Sequence, residues 1–543
     1  MAIDVILPPG PHREISFIED DPPDDAKARL GNFFLRRIEA SELDDDRRVA
    51  KVAAAVLRQR SDRPSKVIEQ LQRYAPVLLD YGCRVFVAPT PITLGAMVPP
   101  LRPLIVKAID SAKLPASGLG APDVSLLGDW YPGIDSPLLV PTVHVLASHD
   151  AWDEVADYLQ AYPPPQALSS DASIDARDGG GRELILSGEQ SLLIRRAFAN
   201  CREVRLQAVT DGRSNVLAFR AYVFLRMDLG ATKVPYEYFV KLGDRDKISK
   251  EYLAYRHNAL EHLPYHLGPR LRLDRCALGA REGIIVSDYV RGAEKLRDCA
   301  RANRAVPVIA SLFHTTLRRW RDGARTIDQP LHERLLERLP AAIPDHRRKL
   351  IEDLGASKSP SDFRMLVNSR STQPFRAGVV HGDLHALNVL VRGGDAIVID
   401  FEKVESEAPL LRDLASLEGG LLVDGFAGDS RSGTEIMRSI ECLYDGRDLC
   451  AERSQRCHPG DPSAWYFDCV EEIRRQARYV EMRSGQYGLA LAVELAKKAC
   501  NPTDFRDSVR GASGAGQEEV RAVAYVLAER ILVKADIRIP PVE

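Results

Sequence analysis

Three polar residues fall close together in VVHGDLHALNVLVRGGDAIVIDFEK, residues 379–403. Asp383 and Asn388 are five positions apart, and Asp400 follows Asn388 by twelve. Between Asn388 and Asp400 lie two short apolar runs, 389–391 and 396–399, separated by the turn signal Arg392-Gly393-Gly394-Asp395. A hairpin with that turn begins at Asn388 and finishes at Asp400, so both side chains sit at its open end. Two oxygen ligands so placed suit a hard cation, since Mg²⁺ takes one or two protein oxygens and completes its shell with phosphate and water. Asp383 then stands free to face a hydroxyl. Asp or Asn ahead of a strand is also an ordinary turn residue; what sets this stretch apart is four polar positions, His381 included, at fitting spacings around one hairpin.

HGDLHALN followed by IDFE resembles the phosphotransfer signature of the aminoglycoside phosphotransferase and choline kinase group, relatives of the eukaryotic-type protein kinases. The resemblance implies an α+β, bilobal, protein-kinase-like fold with a small β-rich N-lobe and a mostly helical C-lobe, working with ATP and Mg²⁺. It implies that Asp383 orients or deprotonates the acceptor hydroxyl, that Asn388 and Asp400 hold Mg²⁺ on the nucleotide phosphates, and that His381 braces the loop. Catalysis in that fold is mostly positioning and charge neutralisation. Protein kinases have Asp-Phe-Gly where this chain has Asp400-Phe401-Glu402, which favours a small-molecule hydroxyl acceptor over a protein.

The elements that must position these groups are legible upstream. Residues 236–242, YEYFVKL, read as a strand with Lys241 near its end, and a Lys inside an apolar run needs a negative partner unless it snorkels from an edge. A helix over 246–260 offers Glu251 on its early turns, with Glu261 as a substitute. In the resembled family a strand Lys grips the α/β-phosphates while a helix Glu holds it. Strands over 203–208 and 215–224 are joined by VTDGRS, where the resemblance places Gly212 and Ser214 over the phosphates. With a single glycine, this segment also reads as an ordinary hairpin turn. A strand over 283–287 leads into a hinge-like segment whose backbone at Asp288 and Val290 would meet the adenine ring. Downstream, 307–321 is amphipathic, with Val308, Leu312, Thr315, Leu317 and Trp320 near one another. Helices follow over 435–443, 462–486, 487–498 and 518–534, and Asp413 is expected to cap and brace a helix just after the hairpin.

The kinase-like part divides into an N-lobe over 183–293 and a C-lobe over 294–543. Ahead of it, 162–182 opens on three prolines at 163–165 and continues in Ser, Asp and Gly, so 166–182 reads as a linker. Residues 1–165 form a separate α/β domain, regulatory or degenerate receiver-like. Its reading comprises a strand at 14–18, acids at 19–21 opening a helix, helices over 47–59, 65–79 and 101–112, and strands over 83–88 and 141–146. This extra domain supports a second reading, a nucleotide-binding sensor, or a protein kinase, that signals to a protein partner through it.

Bulk properties bound these readings. A chain of 543 residues implies two or three domains. With 74 Lys and Arg against 77 Asp and Glu, the net charge of -3 offers no field for nucleic acid. The basic runs at 318–319 and 347–349 read as solvated helix faces. The N-terminus lacks a signal-peptide pattern and no apolar run is long enough to span a bilayer, so a cytoplasmic protein without membrane partners is expected. Nine cysteines, an odd number, fit reduced thiols, and Cys442, Cys450, Cys457 and His458 lack the close pairs of zinc sites. The acids Glu402, Glu405 and Glu407 could serve a cationic acceptor.

Overall fold

The computed structural model describes residues 14–18, 21–30, 34–39, 41–42, 52–58, 69–70, 73–74, 84–88, 124–126, 143–146, 151–161, 172–209, 216–225, 235–260, 262–272, 275–278, 282–339, 342–369, 374–445, 448–450, 461–501 and 516–535. Cα packing divides the chain into two compact units, 1–253 with 270–289 and 254–269 with 290–543.

The first unit holds two sheets. One is all parallel: β1 (Glu14–Ile18), β2 (Phe34–Ile38), β3 (Val52–Arg58), β4 (Arg84–Ala88), β5 (Val124–Leu126) and β6 (Val143–Val145) stand in the order β2-β1-β3-β4-β6-β5. β3 corrects the expected helix over 47–59. Strands of a parallel sheet are covered on both faces and read as nearly unbroken apolar runs, which carry no period to separate strand from helix. Val52 and residues 54–57 of β3 are all buried. Helices Asp24–Arg29 and Trp152–Ala161 pack Ala26, Trp152, Val155 and Leu159 into this core. The first helix has Asp24 and Asp25 in its opening turn, so it starts after the acids at 19–21. Of the helix expected over 65–79, residues 69–70 and 73–74 are described and helical; the helix expected over 101–112 lies outside the described residues.

The second sheet comprises β7 (Ser173–Arg177), β8 (Cys201–Ala208), β9 (Leu217–Leu225), β10 (Tyr236–Asp244), β11 (Ala277–Leu278) and β12 (Glu282–Asp288), in the order β11-β12-β10-β9-β8-β7. β7 lies inside the stretch expected to be a linker and pairs in parallel with β8. Its alternation puts Ala176 in the core, and the Asp178 carboxylate accepts the Gly180 and Arg182 N–H groups, both at 2.8 Å, to close the turn that follows. The glycine triplet therefore shapes a turn here. Helix Gly188–Ala197, opened by a Ser187–Gln190 capping box, lays Leu193 and Ile194 on the same core. Val240 and Leu242 of β10 face that core, which turns Lys241 to the opposite side.

In the second unit the hairpin is present as expected. β16 (Val389–Arg392) and β17 (Asp395–Val398) pair from Val389↔Val398 to Arg392↔Asp395, and Gly393 and Gly394 both take positive φ at the turn. The short β13 (Glu294–Lys295) flanks β16, while β14 (Arg325–Ile327), β15 (Phe375–Val380) and β18 (Glu405–Pro409) form a second small sheet with β15 central. The helix expected over 307–321 is split into Ala305–Ser311, a π-turn at Leu312–Thr316, and Arg318–Asp322. The wider turn shifts the inward face by one position, so Thr316 rather than Thr315 is buried. Its hydroxyl donates to the Ala396 carbonyl on β17 at 2.7 Å.

Helices Leu411–Gly425, Ala464–Arg478, Gln486–Cys500 and Gln517–Ala535 make the core of this unit. A fully buried ion pair ties three of them. Arg474 donates to both Glu418 oxygens at 2.7 and 3.1 Å, and the Tyr487 hydroxyl adds a third bond at 2.6 Å. Arg347 departs from its expected place on a solvated face. It is 0% exposed and donates to both Glu518 oxygens, because the helix carrying it packs against Gln517–Ala535. Among the described residues the cysteines are free thiols, and no helix is long and apolar enough to cross a membrane.

Candidate active site

β15 delivers the chain into the loop 381–388, and β18 receives it after Asp400. Because β15 and β18 are neighbours in one sheet, the two polar loops are anchored at the same edge. The first loop is held from below by Asp413. Its carboxylate accepts the backbone N–H of His381 (2.7 Å) and of Gly382 (3.0 Å). Asp413 thus braces the loop through its backbone, and it makes no cap for its own helix. Gly382 has φ +74, and a side chain there would run into the Lys403 carbonyl. Arg338 adds a hydrogen bond from Nη2 to the Gly382 carbonyl at 2.8 Å.

His381 is 0% exposed, and its Nε2 lies 2.9 Å from the Ile399 carbonyl. A carbonyl only accepts, so Nε2 carries the proton. The ring also packs on Phe401, with centroids 6.0 Å apart, so His381 ties the first loop to the second. This is a bracing contact.

Asp383 stands at the loop tip. Lys403 Nζ donates to its Oδ2 at 2.6 Å. Burial alone would raise the pKa of this carboxyl, but His385, Lys498, Lys403 and Lys497 outweigh it and hold the group well below the usual carboxylate range. Lys403 answers in kind: burial works against its charge, and Asp383 raises its pKa. Lys403 escaped the sequence reading. The signal available was a lone Lys three positions after Asp400.

Asn388 donates from Nδ2 to the Asp383 carbonyl at 3.1 Å, which leaves its side-chain oxygen without a protein partner among the described residues. The Ile399 N–H donates to the Asn388 carbonyl at 3.0 Å, extending the hairpin pairing to the residue before Asp400. Asp400 adopts φ +69, a left-handed conformation that non-glycine residues take at some cost. The Asn388 amide oxygen and the Asp400 carboxylate, at the same end of the hairpin, are hard donors of the kind Mg²⁺ accepts.

In the first unit, Lys241 Nζ donates to Glu251 at 2.8 and 3.0 Å. Both side chains are mostly buried, at 15% and 10% exposure, so Glu251 is the counter-ion that the strand Lys required. Asp288 ends β12 with its N–H donated to the Arg270 carbonyl at 2.9 Å, so that N–H is closed to a ligand. Val290 is half-buried. Gly212 and Ser214 lie outside the described residues, as does Glu261.

Residues 218–417 match the family model described as the phosphotransferase enzyme family, and residues 352–486 match ternary complex associated domain 9. No curated protein matches the chain. Among solved structures, a thermostable mutant of an aminoglycoside phosphotransferase is 13% identical, with 61% of this chain and 95% of that chain covered and a TM-score of 0.32. A choline/ethanolamine kinase family protein from Mesorhizobium loti is 14% identical, with coverage of 61% and 92% and a TM-score of 0.33. A glucosamine kinase in complex with glucosamine, ADP and inorganic phosphate is 13% identical, with coverage of 63% and 84% and a TM-score of 0.31. The resemblance to a phosphotransferase family, first carried by HGDLHALN and IDFE, is thus found again by the family model over 218–417, which contain both motifs.

Proposed function

We propose that this phosphotransferase-like chain moves the γ-phosphoryl group of ATP, with Mg²⁺, onto a hydroxyl of a small molecule. The observation that carries the reading is the loop tip itself: an ionised Asp383, exposed on one side, on a backbone clamped by Asp413 at two successive N–H groups. Rigid support of this kind is what orientation demands, since small misplacements of a reacting group cost large factors in rate. Asp383 orients the hydroxyl and takes its proton as the acceptor oxygen bonds to phosphorus. Asn388 and Asp400 hold the metal, which when bound neutralises phosphate charge. Lys241, gripped by Glu251, binds nucleotide phosphate oxygens, and His381 keeps both loops in register. The main chain near Asp288 and Val290 receives the base, and the turn at Gly212 and Ser214 covers the phosphates. In this reading the small lobe runs to 293 and begins at β7, ahead of its expected start at 183, 294–543 is the helical lobe, and a regulatory domain over 1–165 precedes them, in a cytoplasmic enzyme.

The test is transfer of label from [γ-³²P]ATP to hydroxyl compounds, with small molecules separated from macromolecules. Asp383→Asn is expected to lower the rate by roughly 10²- to 10⁴-fold, the range for loss of a positioned acid–base group. Equal transfer by both forms would refute the reading. The match to ternary complex associated domain 9 over 352–486 favours a second reading, a nucleotide-binding sensor that works through a protein partner. Tight ATP binding without turnover in either form would select it.

A further inference from the structure

The charges around Asp383 narrow the choice of acceptor. Glu405 is held by Arg412 at 2.8 Å and by Arg338 at 2.6 Å, and Glu407 by Arg325. Two of the three acids that could have met a cationic acceptor are therefore neutralised. Lys497 pairs with Glu494 at 3.0 Å, His385 Nδ1 lies 3.3 Å from Asp424, and Lys403 is on Asp383. Lys498 stands apart. It is 8% exposed and its side-chain nitrogen makes no hydrogen bond or ion pair among the described residues; burial lowers its pKa, and of the carboxylates that oppose this Asp383 acts most strongly.

Its placement follows from two glycines. The Lys498 tail crosses Gly419 of helix Leu411–Gly425, where an added Cβ would lie 3.2 Å from Lys498 Cδ and Cε. At Gly420 the same test meets His385 of the Asp383 loop at 2.6 Å. The pair of glycines lets a lysine from helix Gln486–Cys500 and the loop that bears Asp383 settle side by side. A buried ammonium without its own counter-ion is costly unless an anion joins it.

Building on the phosphotransfer reading, we propose that Lys498, with Lys403, binds an anionic group of the acceptor, so that the phosphorylated hydroxyl belongs to a small molecule bearing a carboxylate or phosphate. Lys498 is then a specificity-determining residue. Asp383 Oδ2 is engaged by Lys403 while Oδ1 makes no hydrogen bond among the described residues, so the hydroxyl meets Oδ1 as the anion meets Lys498. As the acceptor oxygen bonds to the γ-phosphorus, the bond from phosphorus to the bridging oxygen of ADP breaks. The hydroxyl proton passes to Asp383 and on to solvent, and ADP leaves.

The experiment compares gluconate, glucose 6-phosphate, glucose and glucosamine as acceptors for the full chain and for Lys498→Met. The two anions are expected to be preferred, and the substitution to raise their KM about 10- to 100-fold, as loss of a charge-assisted hydrogen bond implies, with Lys498→Arg restoring most of it. Preference for glucosamine, or a fall in kcat with KM unmoved, would overturn the proposal, the latter showing that Lys498 only braces Asp383. If none of the four is phosphorylated, malonate binding by calorimetry, with AMP-PNP and Mg²⁺ present, decides. Binding in the parent that is lost in Lys498→Met supports the proposal, and equal or absent binding refutes it. Transfer that is independent of Asp383 would instead strike the phosphotransfer reading.

Discussion

At Gly382 a single methyl group decides whether the candidate loop can exist. Its φ of +74 is open to glycine, and a side chain would displace the Lys403 backbone, whose residue contacts Asp383. Gly382→Ala is expected to cost at least about 1–3 kcal/mol from backbone strain alone, and to lower phosphotransfer by more than its loss of stability explains. Denaturant unfolding and the labelled-ATP assay, run side by side, check this. An alanine variant with parental rate and midpoint would show that the loop does not need its present path. Lys241 and Glu251 make a second residue-scale case. Lys241→Met leaves a mostly buried carboxylate without its cation, so nucleotide affinity should fall and the unit should also lose stability, measured by AMP-PNP titration and thermal unfolding.

At the scale of elements, the hairpin is held from one side by the π-turn, and three helices of the core are tied by the Glu418–Arg474 ion pair. Thr316 reaches Ala396 only because Leu312–Thr316 is wound one residue wider than an α-helix. The Glu418–Arg474 pair is fully enclosed, and Tyr487 and the Leu443 carbonyl complete its hydrogen bonds. Removing one member of such a pair strands the other in a medium that cannot solvate it. Glu418→Gln or Arg474→Met is therefore expected to destabilise the helical unit by about 3–5 kcal/mol, read from the denaturant midpoint. A loss below 1 kcal/mol, within the range of exposed pairs, would mean that water reaches the pair.

At the scale of the whole molecule, acid should weaken the helical unit through carboxylates that join distant segments. Burial would raise the pKa of Glu518, but Arg347 and His346 outweigh it and hold it below its ordinary value; Glu405 is likewise held down by Arg412 and Arg338 against burial. The unfolded chain then takes up protons at higher pH than the folded one. These contributions are fully present above the unfolded values near pH 4.5 and are lost as pH falls through the lower folded values. Glu518→Gln should flatten the acid-side fall in unfolding midpoint below about pH 4.5. An unchanged profile would show that Glu518 does not carry it.

The sequence by itself settled what depends on local spacing. The turn Gly393-Gly394 between two apolar runs fixes the hairpin, the hairpin places Asn388 and Asp400 at one end, and a Lys in the apolar β10 demanded the acid that Glu251 supplies. Where burial on both faces erases periodicity, as in β3, or a π-turn adds a residue, as at Thr316, local pattern misleads. Tertiary structure alone decided the long-range charges. Arg347 is buried because a helix some 170 residues later supplies Glu518; Lys403 meets Asp383 because β15 and β18 share a sheet; and Lys498 and the loop bearing Asp383 settle against neighbouring glycines, Gly419 and Gly420. Ion pairs follow distance in space, which residue order does not carry, so the chemistry of the loop was legible early and its electrostatic surroundings were not.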